Sequence, residues 1–430
     1  MDLTLSPASL TGRLRLIPSK SASHRAVLLS ALSRGETQLQ PLLLSGDISA
    51  TLSCCSSLGI LRQTASGACD FPGAVRMFMT GGEIPSPGGR TRLLDCGESG
   101  STLRFLLPLA LDGRGPVRFV GHGRLMQRPL EIYRELFTAQ GVSWVQRGNE
   151  LTVEGSLTAG IYELPGDVSS QFVTGLLLAL PLLGGDSQVV LTSPLESASY
   201  VEMTRQIQHR FGVQTFWDMD GRCLSVPGRQ RPRSPGLLPL EGDWSHACFY
   251  AVAGAISRRG PMCLCGLNPE SAQPDRQILG FLQQMGAICR WENGDLLIFP
   301  SQLCAITADC SQCPDLVPAL AVAMIAARGE SRITGAARLR LKESDRLSAI
   351  CHAINGCGGI CRETPDGLII RGMSLLGGRV EGAHDHRIVM AMAMAAALSR
   401  KPLTLTDTEA VAKSAPGFWK EYAALGGEIQ

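Results

Sequence analysis

The sequence predicts a two-domain α/β protein in which one folding unit is repeated six times. A polar turn followed by a strongly apolar helix recurs at intervals of roughly 70–80 residues, a longer period than the ~20–50 residues of most solenoid repeats. A second, amphipathic helix follows in each copy, and a hairpin signal follows that helix in several. The chain has 430 residues, more than one hydrophobic core usually serves, so we expect two domains of three units each.

The first helix of each copy opens on polar residues and is apolar on nearly every side. A helix of that kind is buried inside a domain. The six openings are Pro18-Ser19-Lys20-Ser21, Gly97-Glu98-Ser99-Gly100, Gly166-Asp167-Val168-Ser169, Gly242-Asp243-Trp244-Ser245, Ala308-Asp309-Cys310-Ser311 and His384-Asp385-His386-Arg387.

The second helix of each copy ends at a glycine, the residue that most easily takes the left-handed conformation that closes a helix. These glycines are Gly59, Gly141, Gly212, Gly286, Gly358 and Gly426. Turn dipeptides typical of β-hairpins then follow in four copies. They are Gly148-Asn149, Asp220-Gly221, Asn293-Gly294 and Asp366-Gly367. The unit is therefore a strand, a buried helix, a strand, an outer helix and a hairpin.

The repeat is interrupted at residues 227–239, which are rich in proline, glycine and arginine and are predicted to form a hinge with solvated charges. The sixth copy is short of strands, and residues 1–15, with a strand-like segment over 10–16, are expected to complete it. The predicted domains are residues 1–15 plus 240–430, which hold copies four to six, and residues 16–239, which hold copies one to three.

Composition argues against several classes of partner. The formal net charge of +2 gives no reason to expect a nucleic acid. The longest apolar runs, such as residues 172–183 and 388–398, have roughly a dozen residues, fewer than the ~20 of a membrane span. The 15 scattered cysteines and a start without a secretory signal pattern indicate free thiols in the cytoplasm. Neither glycine-rich nucleotide-binding motif occurs, so nucleotide binding is unsupported.

The first opening combines a helix start with cations. Lys20, Ser21 and Arg25 lie in the first turns of a helix whose N-terminal end carries unpaired N–H groups and a positive dipole. Ser19, Ser21 and Ser23 are candidates for its N-cap. Such a start suits a phosphate or carboxylate, although an ordinary surface helix with solvated charges would show the same residues.

Cations occupy positions at or just after the starts of several helices, and buried parallel helices should bring such starts together. A local cluster of cations in a chain with so little net charge indicates substrates with several negative charges, most simply phosphates and carboxylates. The cations are Lys20, Arg25, Arg104, Arg124, Arg128, Lys342, Arg346, Arg387 and Lys413.

Three groups among these cations can move protons, namely Asp315, Glu343 and His386. A carboxylate held among cations stays ionised and can act as a base. The alternative for Glu343 and Asp345 is a plain salt bridge, and Asp345 is expected to cap the helix that follows it.

No metal site is expected. Three short motifs carry ligand-type residues, but none has a second pair nearby. They are Cys310-x-x-Cys313, Cys263-x-Cys265 and His384-x-His386. Small buried helix residues explain most of the cysteines.

Eight segments of the chain form a further pattern. They are Pro18-Ser19-Lys20-Ser21-Ala22-Ser23-His24-Arg25, Gly97-Glu98-Ser99-Gly100-Ser101-Thr102-Leu103-Arg104, Gln127-Arg128-Pro129, Val168-Ser169-Ser170-Gln171-Phe172, Pro314-Asp315, Leu341-Lys342-Glu343-Ser344-Asp345-Arg346-Leu347, Asp385-His386-Arg387 and Ala412-Lys413-Ser414. In this order they resemble the signature segments of the EPSP synthase family, the 3-phosphoshikimate 1-carboxyvinyltransferases. The resemblance runs from about residue 10 to 425, and the segments are specific together although each alone is weak.

The resemblance implies two inside-out α/β barrel domains, each of three βαβαββ units with buried parallel helices, that close over a cleft. It implies transfer of the enolpyruvyl group of phosphoenolpyruvate to the 5-hydroxyl of shikimate 3-phosphate, with release of phosphate. That transferase reaction belongs to the shikimate pathway, which supplies chorismate and the aromatic amino acids. No metal or organic cofactor is implied. We expect a cytoplasmic monomer whose partners are these two small molecules, with neither a nucleic acid nor a membrane.

Family roles carry over to the matching positions. The catalytic residues implied are Asp315 as the base for the 5-hydroxyl, Glu343 as the acid for the methylene carbon, and Lys20, His386 and Lys413, which assist phosphate departure. The residues implied to bind shikimate 3-phosphate are Lys20, Ser21, Arg25, Ser169, Ser170, Gln171, Ser197, Asp315 and Lys342. Those implied to bind phosphoenolpyruvate are Lys20, Gly100, Arg128, Gln171, Arg346, Arg387 and Lys413.

Two residues depart from the family pattern, and two alternative functions stay open. Glu98 stands where many family members have asparagine, and Arg338 where some do. A sister family transfers enolpyruvyl to UDP-N-acetylglucosamine, but it begins its site with a Lys-Asn pair, whereas Ser21 follows Lys20 here. A non-catalytic protein that binds phosphorylated metabolites would need the cations but not a base and an acid together.

Overall fold

The computed structural model describes residues 1–69, 71, 73–82 and 90–430. The chain divides into two compact units. Unit 1 consists of Met1–Ser19 with Glu241–Gln430, and unit 2 consists of Lys20–Leu240. Each unit contains both helices and sheets, so the protein has a mixed α/β fold in two domains.

Over the described residues the structure has twelve α-helices, and the odd-numbered ones are the apolar helices of the six copies. They are α1 (Lys20–Leu32), α2 (Gly46–Leu58), α3 (Gly100–Ala110), α4 (Glu131–Thr138), α5 (Ser170–Ala179), α6 (Ala198–Arg210), α7 (Trp244–Ile256), α8 (Ile278–Gln284), α9 (Val317–Ala326), α10 (Arg346–Gly356), α11 (His386–Ala395) and α12 (Phe418–Ala424). The odd-numbered helices are buried along nearly their whole length, as their apolar sequences predict. None of the twelve is long and apolar enough to cross a membrane.

The even-numbered helices end where the sequence predicts. All six predicted glycines have φ between 74° and 94°, the left-handed conformation. Gly59 shows the reason, because its N–H donates to the carbonyls of Cys55 and Ser56, which the end of α2 would otherwise leave unpaired.

The strands are short and follow the predicted order of the units. They are β1 (Leu3–Leu5), β2 (Gly12–Arg15), β3 (Glu36–Leu43), β4 (Leu61–Gly67), β5 (Ala74–Gly81), β6 (Arg92–Asp95), β7 (Val117–Val120), β8 (Ser143–Arg147), β9 (Glu150–Glu154), β10 (Ile161–Leu164), β11 (Ser187–Leu191), β12 (Phe216–Trp217), β13 (Cys223–Val226), β14 (Leu237–Pro239), β15 (Met262–Cys265), β16 (Ile288–Glu292), β17 (Asp295–Phe299), β18 (Thr307–Asp309), β19 (Glu330–Thr334), β20 (Ile360–Thr364), β21 (Gly367–Arg371), β22 (Gly378–Val380) and β23 (Leu403–Leu405).

The described strands form one sheet for each copy. The sheet orders are β14-β3-β5-β4, β6-β7-β9-β8 and β10-β11-β13-β12 in unit 2, and β2-β15-β17-β16, β18-β19-β21-β20 and β22-β23-β1 in unit 1. In each sheet the first two strands run parallel and the other neighbours antiparallel. A parallel pair such as β6 and β7 needs a crossover, and the inner helix α3 supplies it.

Two predicted segments pair in ways that the sequence does not specify. Residues 1–15 are predicted to complete the sixth copy, and β1 does so by pairing with β23, whereas β2 pairs with β15 of the fourth copy. Residues 227–239, predicted as a hinge, end in β14, which pairs with β3 of the first copy. A strand pattern places a strand but does not name its partner, because pairing joins distant segments.

Helix capping agrees with the sequence at α10 and differs at α1. Asp345 caps α10, since its Oδ1 accepts a hydrogen bond from the Ser348 N–H over 3.1 Å. Helix α1 begins at Lys20, so Ser21 and Ser23 lie inside it and are not N-caps.

Candidate functional site

In unit 1 several of the predicted acid–base and phosphoenolpyruvate-binding residues lie at helix starts. Asp315 lies in a single 3-10 turn, Pro314–Leu316, that leads into α9. Arg346 is the first residue of α10, and Arg387 is the second of α11. Asp385 caps α11 by accepting a hydrogen bond from the Arg387 N–H over 2.9 Å. Helix starts therefore fix the backbone of the charged side chains.

Arg346 is the centre of this arrangement, and its side chain is only 2% exposed. Its Nε donates to Asp385 Oδ2 over 2.7 Å, and its Nη1 donates to Asp315 Oδ1 over 2.9 Å. Its Nη2 donates to Glu343 Oε2 over 2.7 Å. Burial lowers the pKa of Arg346, but the three carboxylates outweigh burial and raise it, so the guanidinium stays charged.

Three cations surround the Asp315 carboxylate. Besides Arg346, Arg387 Nη2 lies 3.3 Å from Oδ2 and Lys342 Nζ lies 3.5 Å from Oδ1. Burial raises the pKa of Asp315, but the attraction of Arg387, Lys342 and Arg346 outweighs it and holds the pKa well below its ordinary value. Asp315 is therefore ionised at neutral pH, in the form that a base requires.

Glu343 and His386 complete the network. Lys413 Nζ, at the end of the 3-10 turn Thr408–Lys413, lies 3.6 Å from Glu343 Oε1. His386 is buried, with its Nδ1 3.8 Å from Asp385 Oδ1. We call these side chains the unit-1 cluster, which consists of Asp315, Lys342, Glu343, Arg346, Asp385, His386, Arg387 and Lys413. It sets four Lys and Arg cations against three carboxylates.

In unit 2 the first residue of α1 meets the start of α2. Lys20 Nζ lies 3.0 Å from Asp47 Oδ2, and the two side chains are 23% and 10% exposed. Asp47 is the second residue of α2. The ion pair therefore aims the Lys20 ammonium and leaves part of it accessible.

Arg25 is buried one turn further along α1. Its Nη1 donates to the Ser21 carbonyl over 2.7 Å, its Nε to Thr204 Oγ1 over 2.8 Å and its Nη2 to the Tyr200 carbonyl over 3.1 Å. No carboxylate contacts it in the described part of the chain. Burial lowers the pKa of Arg25 to about 10, although Tyr200 acts in the opposite direction. A bound anion would supply the missing counter-charge.

The contacts of Arg25 also join it to two other helices. Arg25 Nη2 also lies 3.4 Å from Thr174 Oγ1 of α5, and Tyr200 belongs to α6. Helix α5 begins at the buried Ser170, and α6 follows the buried Ser197, whose φ is 56°. The predicted serines of the shikimate 3-phosphate site thus lie at the starts of helices that Arg25 contacts.

Gln171 is held from both sides of its amide. Arg104 Nη1 donates to Gln171 Oε1 over 2.7 Å, and Gln171 Nε2 donates to Ser101 Oγ over 3.0 Å. The Gln171 N–H donates to Ser169 Oγ over 3.3 Å, so Ser169 caps α5. Arg104 therefore orients a predicted ligand residue.

Gly100 makes room for a predicted phosphoenolpyruvate ligand. A Cβ at Gly100 would lie 2.6 Å from Arg128 Nη1, so the end of the Arg128 side chain would have to shift. Glycine at this position lets the guanidinium lie against the start of α3. The cation Arg124, predicted with these residues, is exposed.

The family model for EPSP synthase (3-phosphoshikimate 1-carboxyvinyltransferase) matches residues 5–422 of this chain. The chain belongs to the EPSP synthase family. The 3-phosphoshikimate 1-carboxyvinyltransferase of Clostridium kluyveri is 39% identical over 433 residues, which cover 99% of this chain and 98% of that protein. The one of Clostridioides difficile is 36% identical over 435 residues, which cover 100% and 98%.

Solved structures of EPSP synthase relatives agree. The EPSP synthase from Acinetobacter baumannii superposes with a TM-score of 0.80 at 26% identity, covering 100% of this chain and 99% of that chain. The enolpyruvyl transferase NikO from Streptomyces tendae has a TM-score of 0.77 at 15% identity, covering 100% and 98%, and shares the fold.

Three aspartates of this EPSP synthase family member make contacts that the sequence did not predict. Asp385 and Asp47 hold Arg346 and Lys20, and their places at helix starts were the available signal. Asp275 is fully buried and accepts a hydrogen bond from the Ser245 hydroxyl, while burial raises its pKa to about 7. Asp275 also lies at a predicted helix start, in the 3-10 turn Pro274–Gln277 before α8, but nothing in the sequence indicated its burial.

Proposed function

We propose that this protein transfers the enolpyruvyl group of phosphoenolpyruvate to the 5-hydroxyl of shikimate 3-phosphate and releases phosphate. One observation supports the assignment of the substrate-binding and catalytic roles to particular residues. The cations that hold Asp315 and Glu343 in the structure are the cations that the family pattern assigns to the anionic groups of the two substrates.

Shikimate 3-phosphate binds to the residues around Arg25 in this proposal. The buried guanidinium offers charge-assisted hydrogen bonds to a phosphate, and serine hydroxyls at helix starts add neutral donors. The residues proposed are Lys20, Ser21, Arg25, Ser169, Ser170, Gln171, Ser197, Asp315 and Lys342.

Phosphoenolpyruvate carries a phosphate and a carboxylate, and paired guanidiniums suit both. Gly100 keeps the approach to Arg128 open, because a side chain there would collide with the guanidinium. The residues proposed are Lys20, Gly100, Arg128, Gln171, Arg346, Arg387 and Lys413.

In the first half of the reaction Asp315 takes the proton of the 5-hydroxyl while Glu343 gives a proton to the methylene carbon of phosphoenolpyruvate. Protonation creates cationic character at the adjacent carbon, and the hydroxyl oxygen bonds to that carbon. The fixed cations neutralise the substrate anions and hold the two reactants together.

In the second half the bond between that carbon and the phosphate oxygen breaks. The Glu343 carboxylate takes back a proton from the new methyl group, which restores the double bond of the enol ether, and the proton held by Asp315 leaves with the phosphate. Lys20, His386 and Lys413 assist by balancing the charge that develops on the leaving phosphate.

Substrate binding would also prepare the acid and the base. Arg346, Arg387 and Lys342 surround Asp315 in the structure, and all three are assigned to substrates. Glu343 is held by Arg346 and Lys413, which are assigned to phosphoenolpyruvate. Once these cations turn to the substrate anions, both carboxylates lose part of their compensating charge and accept protons more readily.

The finer architecture follows the same proposal. The protein would act as a cytoplasmic monomer without a metal or organic cofactor in this reaction. Each domain would be an inside-out barrel of three βαβαββ units, with residues 1–15 plus 240–430 in one and residues 16–239 in the other.

The test is to incubate the purified chain with both substrates and measure phosphate and product together. We expect one phosphate released for each shikimate 3-phosphate consumed, with the 3-phosphate retained in the product. Release that continues when shikimate 3-phosphate is omitted would identify a phosphatase and contradict the proposal.

A further inference from the structure

A second group of ligand-type side chains lies on the sheet of the fourth copy in unit 1. Cys263, Cys265 and Asp295 each offer one ligand atom, and these atoms all lie within 4.8 Å of one another. Within the described residues, this is the one such group of three His, Cys, Asp or Glu side chains. None of the three belongs to the unit-1 cluster.

Strand register explains the convergence. Cys263 and Cys265 are two residues apart on β15, so their side chains point to the same face of the sheet. Strands β15 and β17 pair with Leu264 opposite Leu296, and the next step of this register sets Cys265 opposite Asp295. Two distant segments thus supply three adjacent donors.

The face that carries these donors is the outer one. Leu264 and Leu296 alternate with them and are fully buried, whereas Cys263 and Asp295 are partly exposed. On the neighbouring strand β2, Arg13 lies opposite Cys263 and is also exposed. Cys265 is 8% exposed and packs as a buried residue, whereas Cys263 is partly exposed, so core packing does not account for both thiols.

The distances fit a small tetrahedral ion. The two sulfur atoms lie 3.9 Å apart. Two thiolates bound to one zinc ion at ~2.3 Å and a tetrahedral angle lie about 3.8 Å apart. Asp295 Oδ2 accepts a hydrogen bond from Arg13 Nη2 over 2.7 Å, the kind of outer contact that orients a metal-binding carboxylate.

We propose that Cys263, Cys265 and Asp295 bind a zinc ion, with water in the fourth position. Zinc prefers thiolate donors and accepts a carboxylate beside them. Binding displaces the two thiol protons to solvent. Two thiolates and one carboxylate then balance the charge of Zn²⁺ and Arg13, and Arg15, opposite Cys265 on β2, is exposed. The site is separate from the chemistry of enolpyruvyl transfer and holds whether or not that function does.

Cadmium is the probe, because its bonds to thiolates absorb in the ultraviolet. The full chain, stripped of metal with a chelator, is titrated with Cd²⁺. We expect a thiolate-to-cadmium band that saturates at one equivalent and disappears when Zn²⁺ is added. The C263S/C265S double variant should lose this band, while Cys289→Ser, on β16 of the same sheet, should keep it.

Two further variants protect the test against misfolding. Asp295→Asn keeps both thiols and should weaken Cd²⁺ binding at least ~10-fold, and Arg13→Gln should weaken it by about 10-fold. Zinc should also raise the melting temperature of the wild type and not that of the double variant. The same one-equivalent band in the double variant, or an unchanged affinity in Asp295→Asn, would overturn the proposal.

Discussion

The Nε atom of Arg346 donates to Asp385 Oδ2 over 2.7 Å, and both side chains are buried. Asp385 also caps α11 and accepts from the Ser344 hydroxyl over 3.0 Å. This aspartate therefore holds the guanidinium that contacts the proposed acid and base.

Asp385→Ala should lower the free energy of unfolding by about 3–5 kcal/mol, because it leaves a buried charge without one partner and uncaps a helix. Asp345→Ala is the matched control, since Asp345 caps α10 but is 37% exposed. It should cost only ~1 kcal/mol. Urea unfolding of both variants measures the difference, and equal losses would show that the Arg346 contact contributes nothing.

Arg25→Met should keep the ligand-free protein at least as stable as the wild type, because it removes a buried cation that no described carboxylate contacts. It should weaken shikimate 3-phosphate binding by about 1.5–3 kcal/mol, the range for hydrogen bonds to charged groups. Calorimetry and thermal melting with and without the ligand measure both effects.

Arg205→Met is the control for that substitution. Arg205 lies on α6, bonds to Glu202 and Thr215 and is 23% exposed. It should lower stability slightly and leave shikimate 3-phosphate affinity unchanged. Unaltered ligand affinity in Arg25→Met would remove Arg25 from the binding site.

Asp315→Asn and Glu343→Gln should each lower kcat by about 10²–10⁴-fold, the usual contribution of general acid–base catalysis. Each also removes a carboxylate that competes for Arg346, so phosphoenolpyruvate should bind as tightly as in the wild type or more tightly. Rapid-quench turnover and direct binding in the presence of shikimate 3-phosphate separate these effects. Near-normal kcat in either variant would refute the role of that residue.

The control for those two is Glu363→Gln. Glu363 pairs with Arg340, outside the unit-1 cluster, and should keep full activity. Weaker phosphoenolpyruvate binding in Asp315→Asn would contradict the exchange of partners that we propose.

Asp275 should make the free energy of unfolding depend on pH. Burial raises its folded pKa from 3.8 to about 7, helped by Asp315 and Asp243 and opposed by Arg387 and the Ser245 hydroxyl. Between these values the folded state binds more protons than the unfolded state, so the free energy of unfolding falls as pH rises from 4 to 7 and levels off above 7.

Asp275→Asn should remove that part of the pH dependence and be relatively more stable above pH 7. Unfolding in urea across the pH range measures it. Asp366→Asn serves as control, because a backbone hydrogen bond from Gly335 lowers the pKa of Asp366 and places its effect at acid pH. An unchanged slope in Asp275→Asn would mean that Asp275 stays ionised.

Local features of the fold were predictable from the sequence. The inner helices are apolar on all sides, and the outer helices end at glycines with positive φ, because both features depend on residues within one helix. Asp345 was recognised as a cap for the same reason.

Partners distant in the chain were not predictable. The strand pattern over 10–16 does not reveal that β2 pairs with β15. The sequence around Cys263 does not predict that Asp295, on another strand, lies beside it. The sequence places Asp47 and Asp385 at helix starts. Their ion pairs with Lys20 and Arg346 form only when the distant segments pack together.

The most direct test of the proposed reaction compares acceptors. Phosphate release from phosphoenolpyruvate is measured side by side with shikimate 3-phosphate and with UDP-N-acetylglucosamine, using the wild type and Lys20→Met. We expect release with shikimate 3-phosphate alone, and loss of that release in Lys20→Met. Release with UDP-N-acetylglucosamine and none with shikimate 3-phosphate would contradict it.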